Sequence, residues 1–236
     1  MATWHSFAAA TALSLAAASA LAAAPAVSPA RDPGEAGMVD VATLAPGIEI
    51  DMRYAGADNF TGHPVEGYDA PSCLLLRPVA EALARVQARL HAEGYTLHVY
   101  DCYRPVRAVQ AFVAWAGDLQ DQSTKAVHYP RVEKFALIPD YIADHSGHSR
   151  GATIDLTLAQ CRASACKPLD MGTDFDLFDT RAHTDSPEAT PAQRAHRQRL
   201  RDAMAAEGFA NYPMEWWHFT FRPEPTPDTA YDFPVR

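Results

Sequence analysis

Ser146-Gly-His-Ser-Arg-Gly-Ala-Thr-Ile-Asp-Leu-Thr-Leu158 runs from a turn into a strand, and its reading decides the fold. Ser146, Gly147 and Gly151 suit tight turns. From Thr153 the apolar residues Ile154, Leu156 and Leu158 alternate with polar ones. A period of two is that of a strand with one buried face, which leaves Asp155 on the other. His148 stands just ahead of this strand. Farther along, Glu215-Trp-Trp-His218 adds a second imidazole and a second carboxylate. Three N/O ligands with a fourth position left to water is the catalytic arrangement of zinc, whereas structural zinc is usually closed by four protein ligands. Water bound there ionises near neutral pH, and a nearby Glu can take its proton. The pattern predicts a zinc hydrolase with one Zn2+ per chain, ligands His148, Asp155 and His218, and Glu215 as general base.

Each of these residues also has a plainer reading. Asp155, flanked by Thr153 and Thr157, could belong to a solvated strand face, and a lone histidine is more often structural than a ligand. The joint occurrence of His-x6-Asp and Glu-x-x-His favours the metal. His145 is a competing ligand three residues before His148. Glu215 and His218 are an odd number of residues apart, so a regular strand would place them on opposite faces. Glu215 can be the base only where the strand begins irregularly. Arg104, in Tyr103-Arg104-Pro105, either pairs at the surface or points into the cleft to neutralise an oxyanion.

Outward from this core, Ile48, Ile50, Met52 and Tyr54 alternate as in a strand. Val79, Leu83, Val86 and Leu90 recur at helical spacing from Arg77 to Glu93, and Gly94 ends the run. A strand follows over Tyr95–Tyr100, and Pro105 suits the first turn of a helix reaching Ala116. Residues 118–145 carry no clear period and read as a long surface excursion with room for short helical turns, a kind of loop that is usually functional in a compact domain. A last helix over Pro191–Glu207 and a strand near Trp216–Phe221 precede a Pro-rich tail. The order implies an α+β fold, a mainly antiparallel sheet with helices packed on it, as a single domain over residues 38–236.

The chain has 236 residues, 48% of them apolar and 21% charged, which suits one soluble globular domain. A net charge of −9 disfavours nucleic acid and anionic membrane surfaces as partners. Phe7–Ala24 is an Ala/Leu-rich run without charge, and Ala18-Ser19-Ala20 has the small-x-small form of a signal-peptidase site. Residues 1–24 therefore read as a cleaved secretory signal rather than a span, residues 25–37 as a disordered lead-in, and the mature protein as exported, in the periplasm. Cys73, Cys102, Cys161 and Cys166 would then meet an oxidising compartment. Of their three pairings, Cys161–Cys166 and Cys73–Cys102 are expected. A thiolate zinc site is disfavoured because no C-x-x-C pair exists.

Taken together, these motifs resemble the D-alanyl-D-alanine dipeptidases, a zinc peptidase family. The resemblance spans roughly residues 40–222. It rests on Tyr54-Ala-Gly-Ala-Asp-Asn-Phe-Thr-Gly62, Tyr103-Arg104-Pro105, the segment ending at Asp155, Asp170-Met-Gly-Thr-Asp-Phe-Asp176 and Glu215-Trp-Trp-His218. It implies hydrolysis of the small dipeptide D-Ala-D-Ala. His148, Asp155 and His218 would hold zinc, Glu215 would serve as base and later as proton donor, and Arg104 would stabilise the tetrahedral intermediate. Asp176 and Tyr54 would read the substrate amine, with its carboxylate near Ser146. Asp170, Asp174 and Asp179 compete with Asp176 for that role. Two other readings stay open: a D,D-carboxypeptidase or endopeptidase on longer wall peptides, and a zinc-stabilised cell-wall binding module without catalysis.

Overall fold

The computed structural model describes Met1, residues 24–162 and residues 165–236. All of the expected signal except its two end residues lies outside them. Among the described residues no helix is long and apolar enough to cross a membrane. The strands are β1 (Ala26–Val27), β2 (Met38–Asp40), β3 (Glu49–Ile50), β4 (Leu74–Leu76), β5 (Tyr95–Asp101), β6 (Thr153–Arg162), β7 (Ala165–Pro168), β8 (Phe209–Asn211), β9 (His218–Phe221) and β10 (Thr229–Ala230). The α-helices are α1 (Pro33–Ala36), α2 (Val41–Leu44), α3 (Arg77–Ala92), α4 (Val106–Gly117), α5 (Lys125–His128) and α6 (Pro191–Ala205).

The main sheet has the order β3-β5-β6-β9-β8, with β7 folded back on β6. The β3/β5 pair is parallel, and β5/β6, β6/β7, β6/β9 and β8/β9 are antiparallel. This is the mainly antiparallel α+β arrangement implied by the sequence. Helices α3 and α6 pack on the sheet, against β5 and β6 respectively. The α3 positions Val79, Leu83, Val86 and Leu90 are all buried, so its apolar stripe faces the core as the spacing predicts. Thr190 and Gln193 form a reciprocal capping box at the start of α6. The central strand β6 is buried on both faces through Ala159, because loops cover the face that carries Asp155.

Three expectations are corrected. The alternation from Ile48 to Tyr54 gives a strand only at Glu49–Ile50, since Arg53–Ala55 coils into a 3-10 turn that buries Tyr54. The lead-in at 25–37 is ordered instead of disordered: β1 pairs with β10, and the Asp32 side chain caps α1 by accepting from Glu35 N at 2.9 Å. Local capping and a tail strand supply the partners that its Ala/Pro composition hides. The excursion at 118–145 carries the short helix α5, a helical turn of the expected kind, but it is not confined to the surface, for it buries Tyr129, Lys134, Leu137 and Ile142. Lys134 Nζ lies 3.8 Å from the Trp115 ring centre and donates to the Asp121 carbonyl at 2.7 Å. The cysteine sulfurs meet at bonding distance as Cys73–Cys102 and Cys161–Cys166, the second pair across the β6/β7 ladder.

Candidate metal centre and cleft

Strand register builds the centre. Asp155 of β6 stands directly opposite His218 of β9 and, on its other side, opposite Asp101 of β5. Residues directly opposite in a ladder project to the same face, so the three side chains form a row across the sheet. An irregularity between Val99 and Asp101 shifts the β5 register and brings Asp101 into that row. His148 arrives from a 3-10 turn, Gly147–Arg150, just ahead of β6. Gly151 closes that turn at φ +68°, a conformation that L side chains rarely adopt. A Cβ there would also come within 2.5 Å of Met38 Cε.

One donor atom each from His148, Asp155 and His218 lies within 4.8 Å of the others. His148 Nδ1 donates to the Cys102 carbonyl at 2.7 Å, which fixes the tautomer and leaves Nε2 with its lone pair free. That Nε2 is 3.3 Å from Asp155 Oδ2 and 3.4 Å from His218 Nδ1. Asp155 Oδ1 lies 3.0 Å from His218 Nδ1 yet has no hydrogen-bond partner among the described residues. A buried carboxylate oxygen without a partner is costly unless something else binds it. Burial pushes the Asp155 carboxyl up, but the two imidazoles outweigh this and hold it far below the carboxylate range. Two imidazoles and an ionised carboxylate converging on one point fit a zinc ion with an open position.

The Glu215 problem is resolved by local backbone. His218 N donates to the Glu215 carbonyl at 3.3 Å, so a turn, rather than a strand, joins the two. Its i,i+3 spacing brings Glu215 Oε2 to 3.4 Å from His218 Nδ1. Burial pushes the Glu215 carboxyl up to about 7, against the pull of His218. Arg104 points inward: its guanidinium is held by Asp101 Oδ2 at 2.8 Å and stands 3.7 Å from Asp155 Oδ2. It lies over the rings of Tyr54 and Phe112. Asp101, fully buried, also accepts from Tyr68 Oη at 2.6 Å and from Cys102 N at 2.9 Å. Sequence reasoning missed Asp101 and Tyr68 because the bulged register that aligns Asp101 with Asp155 leaves no local signature.

The remaining candidates line the same cleft, a cavity of about 240 Å³. Tyr54 Oη donates to Asp176 Oδ2 at 2.7 Å, and both side chains are buried. Burial drives the Asp176 carboxyl well above its ordinary value in spite of that bond. Its rivals lie elsewhere: Asp170 binds Gln193, and Asp179 pairs with Arg131 and Arg181. Ser146 faces the cleft but also caps the His148 turn, accepting from His148 N at 3.2 Å. His145 is mostly exposed, pairs with Asp144 and stands outside the three-ligand cluster. Residues Pro139–Ala143 of the excursion complete the cleft wall.

Fold and site together define a metallopeptidase, in which a His/Asp/His cluster, carried by two strands and the turn ahead of one of them, shares one cleft with a partly buried glutamate and arginine. The chain belongs to the Peptidase_M15 family, D-ala-D-ala dipeptidase, whose profile matches residues 34–236. A D-alanyl-D-alanine dipeptidase of Streptomyces coelicolor is 43% identical over 203 residues, covering 86% of this chain and 98% of the relative. One from Enterococcus faecium is 37% identical over 203 residues, 86% of this chain and 100% of the relative. Another, from Enterococcus faecalis, is 40% identical over 202 residues, 85% and 99% of the two chains.

Proposed function

We propose that this protein hydrolyses D-Ala-D-Ala to two D-alanines as a zinc enzyme with one ion per chain. The observation that carries the reading is a small cleft lined by the His148/Asp155/His218 cluster, Glu215 and Arg104 and by the buried Asp176–Tyr54 pair. Family membership and the dipeptidase relatives support the substrate. A zinc ion held by the three ligands would supply an ionised water near neutral pH and polarise the scissile carbonyl.

The chain's own residues do the rest. Glu215 takes the proton of the attacking water and passes it to the leaving amine. Arg104, already desolvated and held rigid by Asp101, stabilises the negative charge that develops on the carbonyl oxygen, a contribution on the order of 3 kcal/mol. Asp176, with Tyr54 on one oxygen, is ready for a cation, and the substrate ammonium supplies it. Ser146 at the cleft lining can donate its hydroxyl proton to the substrate carboxylate.

The cavity of about 240 Å³ is smaller than the ~300–1,000 Å³ of typical drug-sized ligand sites. That favours a dipeptide over a longer wall peptide. Export to the periplasm is part of the proposal, supported by the charge-free run at Phe7–Ala24 and by two cysteine pairs that would form disulfides there. The test is metal content with activity. Purified protein should carry about one zinc, lose D-Ala-D-Ala hydrolysis to a chelator and regain it with zinc, and H148A should lack both metal and turnover. Full activity in H148A would remove the centre.

A further inference from the structure

Asp176 is the one non-glycine residue, among those described, with a positive φ, +58°. Asp tolerates the left-handed region better than most residues, but such backbone persists only where its surroundings over-determine it. Those surroundings are supplied by α5 in the excursion. His128 Nδ1 lies 3.1 Å from the Asp176 carbonyl oxygen. A carbonyl only accepts, so Nδ1 carries the proton. The His128 carbonyl in turn accepts from Phe178 N at 2.7 Å. The two bonds bracket Leu177 and clamp the left-handed turn from both sides. His128 itself does not line the cleft.

The excursion is in turn tied down independently of this clamp. Thr124 Oγ1 donates to the Phe60 carbonyl at 2.6 Å, Arg131 pairs with Asp179, and Lys134 is buried over Trp115. His128 therefore projects from a fixed platform toward a strained turn whose side chain faces the cleft.

We propose that His128 is a positioning residue for substrate selection: its Nδ1–H holds the Asp176 turn in the left-handed form that keeps the carboxylate beside Tyr54 and in the cleft. This rests on the reading of Asp176 as the group that binds the substrate amine. Without the bond, the turn relaxes toward ordinary backbone and the carboxylate leaves its place. The metal ligands, Glu215 and Arg104 stand on other elements and keep theirs. The loss is in recognition of the free amine.

The experiment compares zinc-loaded wild type, H128L and H128N on D-Ala-D-Ala and on N-acetyl-D-Ala-D-Ala. H128L keeps the bulk and removes the donor. H128N returns an N–H near the Nδ1 position. H128L should raise KM for the free dipeptide about 5–30-fold with kcat little changed, and should shrink the preference for the free amine by the same factor. H128N should recover most of both, at unchanged zinc content. Wild-type KM and preference in H128L would overturn the proposal. So would equal losses in H128L and H128N with kcat falling alongside, which is the mark of a general structural role. Wild-type protein that cleaves both substrates equally well would instead remove the Asp176 reading, and this inference with it. If H128L does not fold, H128A takes its place in the same comparison.

Discussion

Glu215 is the side chain to which the proposed mechanism assigns the most chemistry. It is held 3.4 Å from His218 by a turn, and burial brings its carboxyl up to about 7, near the pH at which a base must work. E215Q keeps the shape and removes the proposed proton acceptor. The variant should bind zinc and dipeptide normally and turn over slower by about 10²–10⁴. Near-normal kcat would move the base elsewhere and leave Glu215 as a partner of His218. The pH dependence follows from the same group. Glu215 accepts a proton only when ionised, so kcat/KM must fall as pH drops through its pKa. Burial raises that pKa from 4.5 to about 7, and a bound dication pulls it back down. The acid limb of kcat/KM is therefore expected between those two values and should vanish from the residual activity of E215Q. An identical limb in that variant would assign it to another group.

At the scale of elements, β6 organises the site through its two neighbours and the turn that feeds it. Gly151 is the point at which that turn depends on glycine, with φ +68° and Met38 and Leu76 side chains close by. G151A should lose about 1–3 kcal/mol of stability in denaturant titration and bind zinc more weakly, because His148 is displaced with the turn. Unchanged stability and zinc affinity would mean that the turn is freer than its contacts indicate. The elements legible in the sequence were those with a sustained period: α3 from its Val/Leu stripe, β5, β6 and α6. The short strands β2, β4 and β8 span too few residues for a period to register. The strand expected up to Tyr54 failed because the backbone coils at Arg53 to bury the Tyr54 ring, a tertiary demand with no local signal. At the site, the candidate ligands His148, Asp155 and His218 were legible as a group because spacing and residue type agree, and the fold brings them within 4.8 Å of one another. The Asp101 bracket on Arg104 was not, since Asp101 joins the row only through the irregular β5 register, and the His128 clamp was not, since His128 and Asp176 lie far apart in the chain.

The whole molecule joins a catalytic sheet to a wall made by the excursion and by the loop that carries Asp176. Hydrogen bonds from Thr124 and His128, the Arg131–Asp179 pair and buried Lys134 lash these parts together. The cleft they enclose puts the buried Asp176 carboxylate in the same small space as Glu215 and Arg104. That arrangement should select for length and charge at once: a free ammonium satisfies Asp176, and an acyl group there both removes the charge and adds bulk. Without the ammonium the Asp176 carboxyl, which burial already drives toward its protonated form, loses its ion partner, a loss of about 10²–10³ in kcat/KM. The central claim, a metallopeptidase specialised for a free D,D-dipeptide, is tested most directly by kcat/KM of the zinc-loaded protein on D-Ala-D-Ala against N-acetyl-D-Ala-D-Ala, with D176A alongside. The account predicts efficient cleavage of the free dipeptide, hardly any of the acetylated one, and a gap narrowed in D176A mainly because the free dipeptide is cleaved more slowly. Comparable rates on the two substrates in the wild-type protein would contradict it and favour a D,D-carboxypeptidase.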